Sequence, residues 1–242
     1  MEITGEAAVA TLDDVVRDRL GDAPRPVRLL DAGREAALTP RQREVLDRLG
    51  AVIDEEGFAG VTMAGLADRA RCSLRTLYAL AETRDDLVLT IVDRSLWAAG
   101  RAAWNALAAE TSPLAALRAY LLTSTAVITD WSAAFARDIT AMPRAQELRA
   151  AHDAYLVAVT HALLDLAVTA GEIRPVDTVP VARVLSELGR TFTRPDVLPT
   201  LSGSPRTSSD LLVEIILSGL GPPVPSARSS TARADIIGGC RS

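Results

Sequence analysis

Apolar residues recur three and four positions apart through most of the chain, the signature of amphipathic helices. The first such run is short: Leu12, Val15, Val16 and Leu20, followed by Gly21, Pro24 and Pro26. A stronger run opens at Thr39-Pro40, a helix start with proline at the first helical position, and carries Val45, Leu46, Leu49, Val52 and Ile53 before Gly57. Thr62 predicts an N-cap for a second helix with Met63, Leu66, Ala67 and Ala70 on its inner face. After a break at Arg71-Cys72, Ser73 caps a third short helix carrying Leu74, Leu77 and Tyr78. Thr83 caps a fourth, with Asp85 and Asp86 in the acid-favouring first turn. Further helices are expected over about 84–110, 113–129, 131–140, 144–171, 178–193 and 208–219, and nothing there reads as a strand. The pattern is all-α: a three-helix head ahead of a larger helical body.

Segment boundaries follow from the breaks. Residues 1–38 mix both charge signs with little to pack, and read as a partly disordered extension. A solvated tail is favoured there over an arm reaching DNA through Arg25 and Arg28. The head occupies 39–86 and the body 87–220, while 221–242, rich in Gly, Pro, Ser and Arg, reads as a disordered tail.

Composition narrows the function classes. The 242 residues carry 26 basic side chains, all arginine, against 31 acids, a net charge of −5 that excludes a basic nucleic-acid coat. Two cysteines, Cys72 and Cys240, exclude a disulfide framework and suit a reducing cytoplasm. The acidic Met1-Glu2 start is unlike a signal peptide, and the most apolar stretch, 154–170, holds His161 and Asp165 and falls short of a membrane span. A cytoplasmic protein without membrane contact is expected.

Two short capped helices joined by a tight turn and braced by a longer one are what a helix-turn-helix requires. Residues 41–94 resemble the DNA-binding head of the TetR/AcrR family of bacterial transcriptional regulators. The resemblance is carried by Gly57-Phe58, Val61-Thr62-Met63-Ala64-Gly65-Leu66-Ala67, Ser73-Leu74-Arg75-Thr76-Leu77-Tyr78 and Thr83-Arg84-Asp85-Asp86-Leu87. It implies DNA contacts from Thr62, Ser73, Leu74, Arg75, Thr76, Tyr78 and Arg84. Arg75 would read a base, since a guanidinium can bond guanine bidentately. Thr62, Tyr78 and Arg84 would hold phosphate or sugar, setting register. The chain departs from the family at Arg71, where glycine is usual, and at Leu80-Ala81, where a His-Phe pair is common. Residues 39–94 hold eight arginines against ten acids, a net of −2, although 69–84 alone is +3.

The resemblance also implies a body that binds a small effector and pairs with a second copy. Six of the nine aromatics lie between 97 and 155. Trp97, Arg101, Trp104, Trp131, Phe135 and Tyr155 are the candidate pocket, with ordinary core packing as the alternative. Asn105, Arg137, Asp138, His152 and His161 are further candidate anchors. Helices at about 178–193 and 208–219 either form a homodimer interface or close the monomer core. A dimer is favoured because a palindromic operator needs two heads.

No catalytic cluster is evident. His161 and Asp165 sit four apart but lack a third metal ligand, and Cys72 reads as a small hydrophobe rather than a redox sensor. The reading is a non-enzymatic, cofactor-free DNA-binding transcriptional regulator, a ligand-released repressor acting as a dimer on a palindromic operator. The alternative is a ligand-binding helical dimer with little or no specific DNA binding.

Overall fold

In the computed structural model the described residues are 10–129, 131–194 and 196–221, side chains of 127 and 128 excepted. The expected disorder of the tail beyond 221, and Cys240, lie outside them. Among the described residues there are eleven α-helices and no strand. They are α1 (Leu12–Leu20), α2 (Ala32–Ala37), α3 (Pro40–Glu56), α4 (Met63–Ala70), α5 (Leu74–Tyr78), α6 (Arg84–Ala108), α7 (Pro113–Thr129), α8 (Ala133–Ala141), α9 (Pro143–Thr169), α10 (Thr178–Phe192) and α11 (Pro205–Leu220). No described helix is long and apolar enough to cross a membrane.

The side chains form two cores. The head core gathers α3, α4, Leu77 of α5 and the first half of α6 around Leu49, Ile53, Leu66 and Leu87, each fully buried. The body core gathers α7, α9, α10 and α11 around Leu117, Leu121, Leu163, Leu185 and Val213. Helix α6 belongs to both: Leu87 to Leu96 pack in the head, Ala103 and Leu107 in the body. At 1.5 Å per residue its 25 residues make a rod of about 38 Å. The head core therefore runs past the sequence boundary at 86, and α8 and the start of α9 join it through Trp131, Phe135, Ile139 and Ala145.

The N-terminal segment departs from its sequence reading. Residues 10–38 form a strap that packs on the body through α1 and on the head through α2 and Leu38, rather than a solvated extension. Thr11 and Asp14 make a reciprocal capping box on α1, which lays Val16 (0 % exposed) and Leu20 (6 %) into the body core. Pro24 and Pro26 keep the chain extended, and the Leu29 N–H then donates to the buried Asp93 carboxylate at 3.0 Å. Arg94 pairs with both Glu35 and Asp47, fastening α2 and α3 to α6. One apolar pair on a short helix suffices because α6 and α9 supply the groove it fills.

Candidate nucleic-acid interface

Each short helix of the head starts on a hydroxyl. The Thr62 Oγ accepts from the Gly65 N–H at 3.1 Å, and the Ser73 Oγ accepts from the Thr76 N–H at 3.2 Å. The Ser73 and Thr76 hydroxyls also lie 2.9 Å apart. Leu77 points into the core, which turns Leu74 (43 % exposed), Arg75 and Tyr78 (56 %) outward; Thr76 is half-buried and Thr62 and Ser73 are exposed. Helix α5 thus presents an arginine, a phenol and an aliphatic side chain on one short exposed face, the form a major-groove reader takes.

The turn between α4 and α5 depends on two features. Arg71 sits in the left-handed region (φ 51, ψ 50), the one non-glycine with positive φ among the described residues, and the Cys72 N–H closes back on the Ala67 carbonyl at 3.0 Å. Two arginines seven apart on α3 hold the turn from outside. Arg48 donates to the Ala70 carbonyl at 2.6 Å and Arg41 to the Arg71 carbonyl at 3.0 Å. Sequence reasoning missed both; their spacing on one face of α3 was the available signal. Left-handed backbone costs a side-chain-bearing residue roughly 1–2 kcal/mol, and glycine's greater unfolded freedom offsets roughly 0.5–1 of that. Arg71→Gly is accordingly expected to raise stability by about 0.5–1 kcal/mol in urea denaturation.

The loop before α4 is clamped from the body. Asp138 on α8, 6 % exposed, accepts from the Phe58 N–H at 2.6 Å and the Ala59 N–H at 2.7 Å with one oxygen. Gly57 (φ 77) makes this approach possible, since a Cβ there would lie 2.5 Å from that oxygen. Asp138, a candidate pocket anchor by sequence, is a structural clamp instead.

Arg84 is likewise redirected. Its Nε donates to the Val61 carbonyl at 2.9 Å, a terminal nitrogen donates to the Phe58 carbonyl, and its guanidinium lies over the Phe58 ring. The phosphate contact expected of Arg84 is not what this geometry provides, because the loop carbonyls claim its donors. Arg69 pairs with Glu56. Arg84 pairs with Asp85 at 2.6 Å, whereas Arg71 and Arg75 carry no ion pair among the described residues. With Arg69 and Arg84 paired, the unpaired positive charge near the turn is smaller than the sequence sum over 69–84.

The candidate pocket divides. Trp97, Arg101, Trp104 and Tyr155 meet at one cleft of about 350 Å³, together with Asn105 and His152. Trp131 and Phe135 do not join them. They stack edge-on to each other (4.9 Å), and Phe135 stacks on Phe58 (5.9 Å), within the head core. Helix α8 turns Phe135 toward Phe58 of the α3–α4 loop, not into the cleft. Arg28 stacks on Trp97 at 4.6 Å and Arg25 lines the cleft, so neither is an arm toward DNA. Arg137 is exposed, and His161 lies 3.6 Å from Asp165, whose carboxylate also accepts from the Thr178 hydroxyl at 2.6 Å. Among the described residues no group of three or more potential ligands could hold a metal ion. Burial pushes the Cys72 thiol up, against the charges of Arg41 and Arg48, which disfavours the thiolate a redox sensor needs.

No family model matches the chain, and no curated protein matches it. Solved structures do. A TetR transcription regulator from Haloarcula marismortui superposes with TM-score 0.65 at 18 % identity, covering 76 % of this chain and 100 % of that one. A regulatory protein of the TetR family from Rhodococcus RHA1 gives 0.57 at 18 %, covering 77 % and 100 %. A TetR transcriptional regulator from Streptomyces coelicolor gives 0.51 at 24 %, covering 76 % and 99 %. With its capped helix-turn-helix set on a helical body, the chain has the fold of the TetR regulators.

Proposed function

We propose that this protein is a non-enzymatic transcriptional regulator that binds a palindromic operator as a homodimer and is released from it by a small ligand. The observation that carries the reading is α5, an exposed reader face held at a turn that Arg41 and Arg48 brace from α3, while Arg84 braces the loop before α4. Arg75 reads a base, Leu74 and Thr76 contact methyl groups or backbone, and Thr62, Ser73 and Tyr78 set register on phosphate or sugar. The same solved structures support regulation of transcription by a TetR-like fold. With few unpaired arginines at the turn, the salt dependence of binding is shallow.

Dimerisation rests on the outer face of the last two helices. Val179 and Val184 of α10 and Leu211 and Ile215 of α11 are each more than half exposed, although α10 and α11 pack side by side. A second copy covers such a face and supplies the second head.

Operator selection from random duplex DNA, followed by Arg75→Ala, tests the base-reading role. The variant is expected to lose roughly 1–3 kcal/mol per half-site and to relax preference at one position in each. Unchanged affinity and unchanged preference would remove Arg75 as the reader.

A further inference from the structure

The cleft between the strap, α6 and α9 has an uneven chemistry. Its walls are Trp97, Trp104 and Tyr155, and its charged lining consists of arginines: Arg17, Arg25 and Arg101, with no aspartate or glutamate. Arg17 is partly spoken for, paired to Asp13 at 3.1 Å and stacked 4.4 Å over Trp104. Arg25 and Arg101 have no ion pair among the described residues, and both are exposed at the mouth. The ring nitrogens Trp97 Nε1 and Trp104 Nε1 are buried without a hydrogen-bond partner, while His152 Nε2 faces the buried Asp93 carboxylate at 3.9 Å. Buried donors left unmade are costly, and unpaired cations lining a half-enclosed cleft favour an anion there. Tyr120 on the floor stays protonated, its pKa raised by burial and by Tyr155, so it adds no negative charge.

The geometry points to a flat organic anion as the occupant: an aromatic or fused-ring carboxylate whose ring lies against Trp97, Trp104 and Tyr155 and whose charge meets Arg25 and Arg101. The volume of about 350 Å³ lies at the small end of ligand pockets, which suits one or two fused rings. Because Arg25 and Arg17 come from the N-terminal strap, the chain's own residues 10–38 roof the site and supply part of its charge. The strap guanidiniums already stack on both tryptophans, so entry of the ring exchanges a cation–π stack for a ring stack and frees a cation to pair with the carboxylate. This inference rests on the ligand-responsive reading above and names the ligand class.

Three probes with one ring system and different charge test it by calorimetry on the full chain: 1-naphthoate, 1-naphthylmethanol and 1-naphthylmethylammonium. Naphthoate is expected to bind roughly tenfold or more tighter than the alcohol, and the ammonium least of all. Arg101→Ala is expected to weaken naphthoate by roughly tenfold and to leave the alcohol within about twofold; Arg101 is exposed, so folding is not at stake. Equal affinity for all three probes, preference for the ammonium, or no naphthoate binding at millimolar concentration overturns the anion assignment. The same titrations repeated with operator DNA bound separate the two claims. Naphthoate that binds but does not release DNA upholds the ligand class and refutes ligand release. Release by the alcohol alone upholds ligand release and refutes the class.

Discussion

Asp138→Ala is expected to destabilise the protein by about 3 kcal/mol, lowering the melting temperature by roughly 10 °C. The wild-type carboxylate is buried and takes two short backbone hydrogen bonds, from Phe58 and Ala59. Alanine leaves both N–H groups without their acceptor, the Phe58 group buried and the Ala59 group partly so. The cost is roughly 1–3 kcal/mol for the first and less for the second, while the relief of no longer burying a charge offsets part of the loss. Asp138→Asn keeps an accepting oxygen and is expected to recover about half the loss. The effect extends beyond stability, because the 57–62 loop ends at Thr62, the cap of α4. Operator affinity should therefore fall in Asp138→Ala even at temperatures where the variant is fully folded. Denaturant melts of the three proteins check the first part, and a loss under about 1 kcal/mol would contradict the clamp.

The second large effect concerns assembly. Leu211 (58 % exposed) and Ile215 (55 %) lie one turn apart on α11, outside the monomer's core. Replacing both with aspartate therefore costs the monomer little, while placing like charges across any two-fold interface built on that face. Light scattering is expected to give 25.6 kDa for the variant and twice that for the wild type. Losing the linkage between heads removes their effective concentration, so affinity for a two-half-site operator should fall about 100-fold or more. A variant that stays dimeric would place the interface elsewhere.

The head was legible because its signals are local. The side chains of Thr39, Thr62, Ser73 and Thr83 stand within three residues of the N–H groups they cap, and each forms that bond. Helical spacing likewise separates Leu77, buried, from Leu74 and Tyr78, exposed. What stayed hidden depends on distant partners. Spacing places Trp131 and Phe135 on one face but cannot say that the face meets Phe58, more than seventy residues earlier. Arg84 reads as a phosphate ligand until the loop carbonyls of Phe58 and Val61 are beside it. The strap was missed for the same reason: Val16 and Leu20 are too few to suggest a core, and the groove that buries them is built by α6 and α9. The candidate cleft was half legible, since Trp97, Arg101 and Trp104 share one helix, whereas its strap arginines come from a segment read as solvated.

The central claim is that α5 reads DNA, and fluorescence anisotropy tests it most directly. The wild-type protein is titrated against labelled duplexes from the region upstream of its own gene and against random duplex, over a salt series. The account predicts nanomolar binding to one upstream duplex, at least about a thousandfold tighter than to random DNA, weakening with salt on a shallow slope. Weak binding that is equal for both DNAs at every salt concentration would contradict it and would leave a ligand-binding helical dimer in its place.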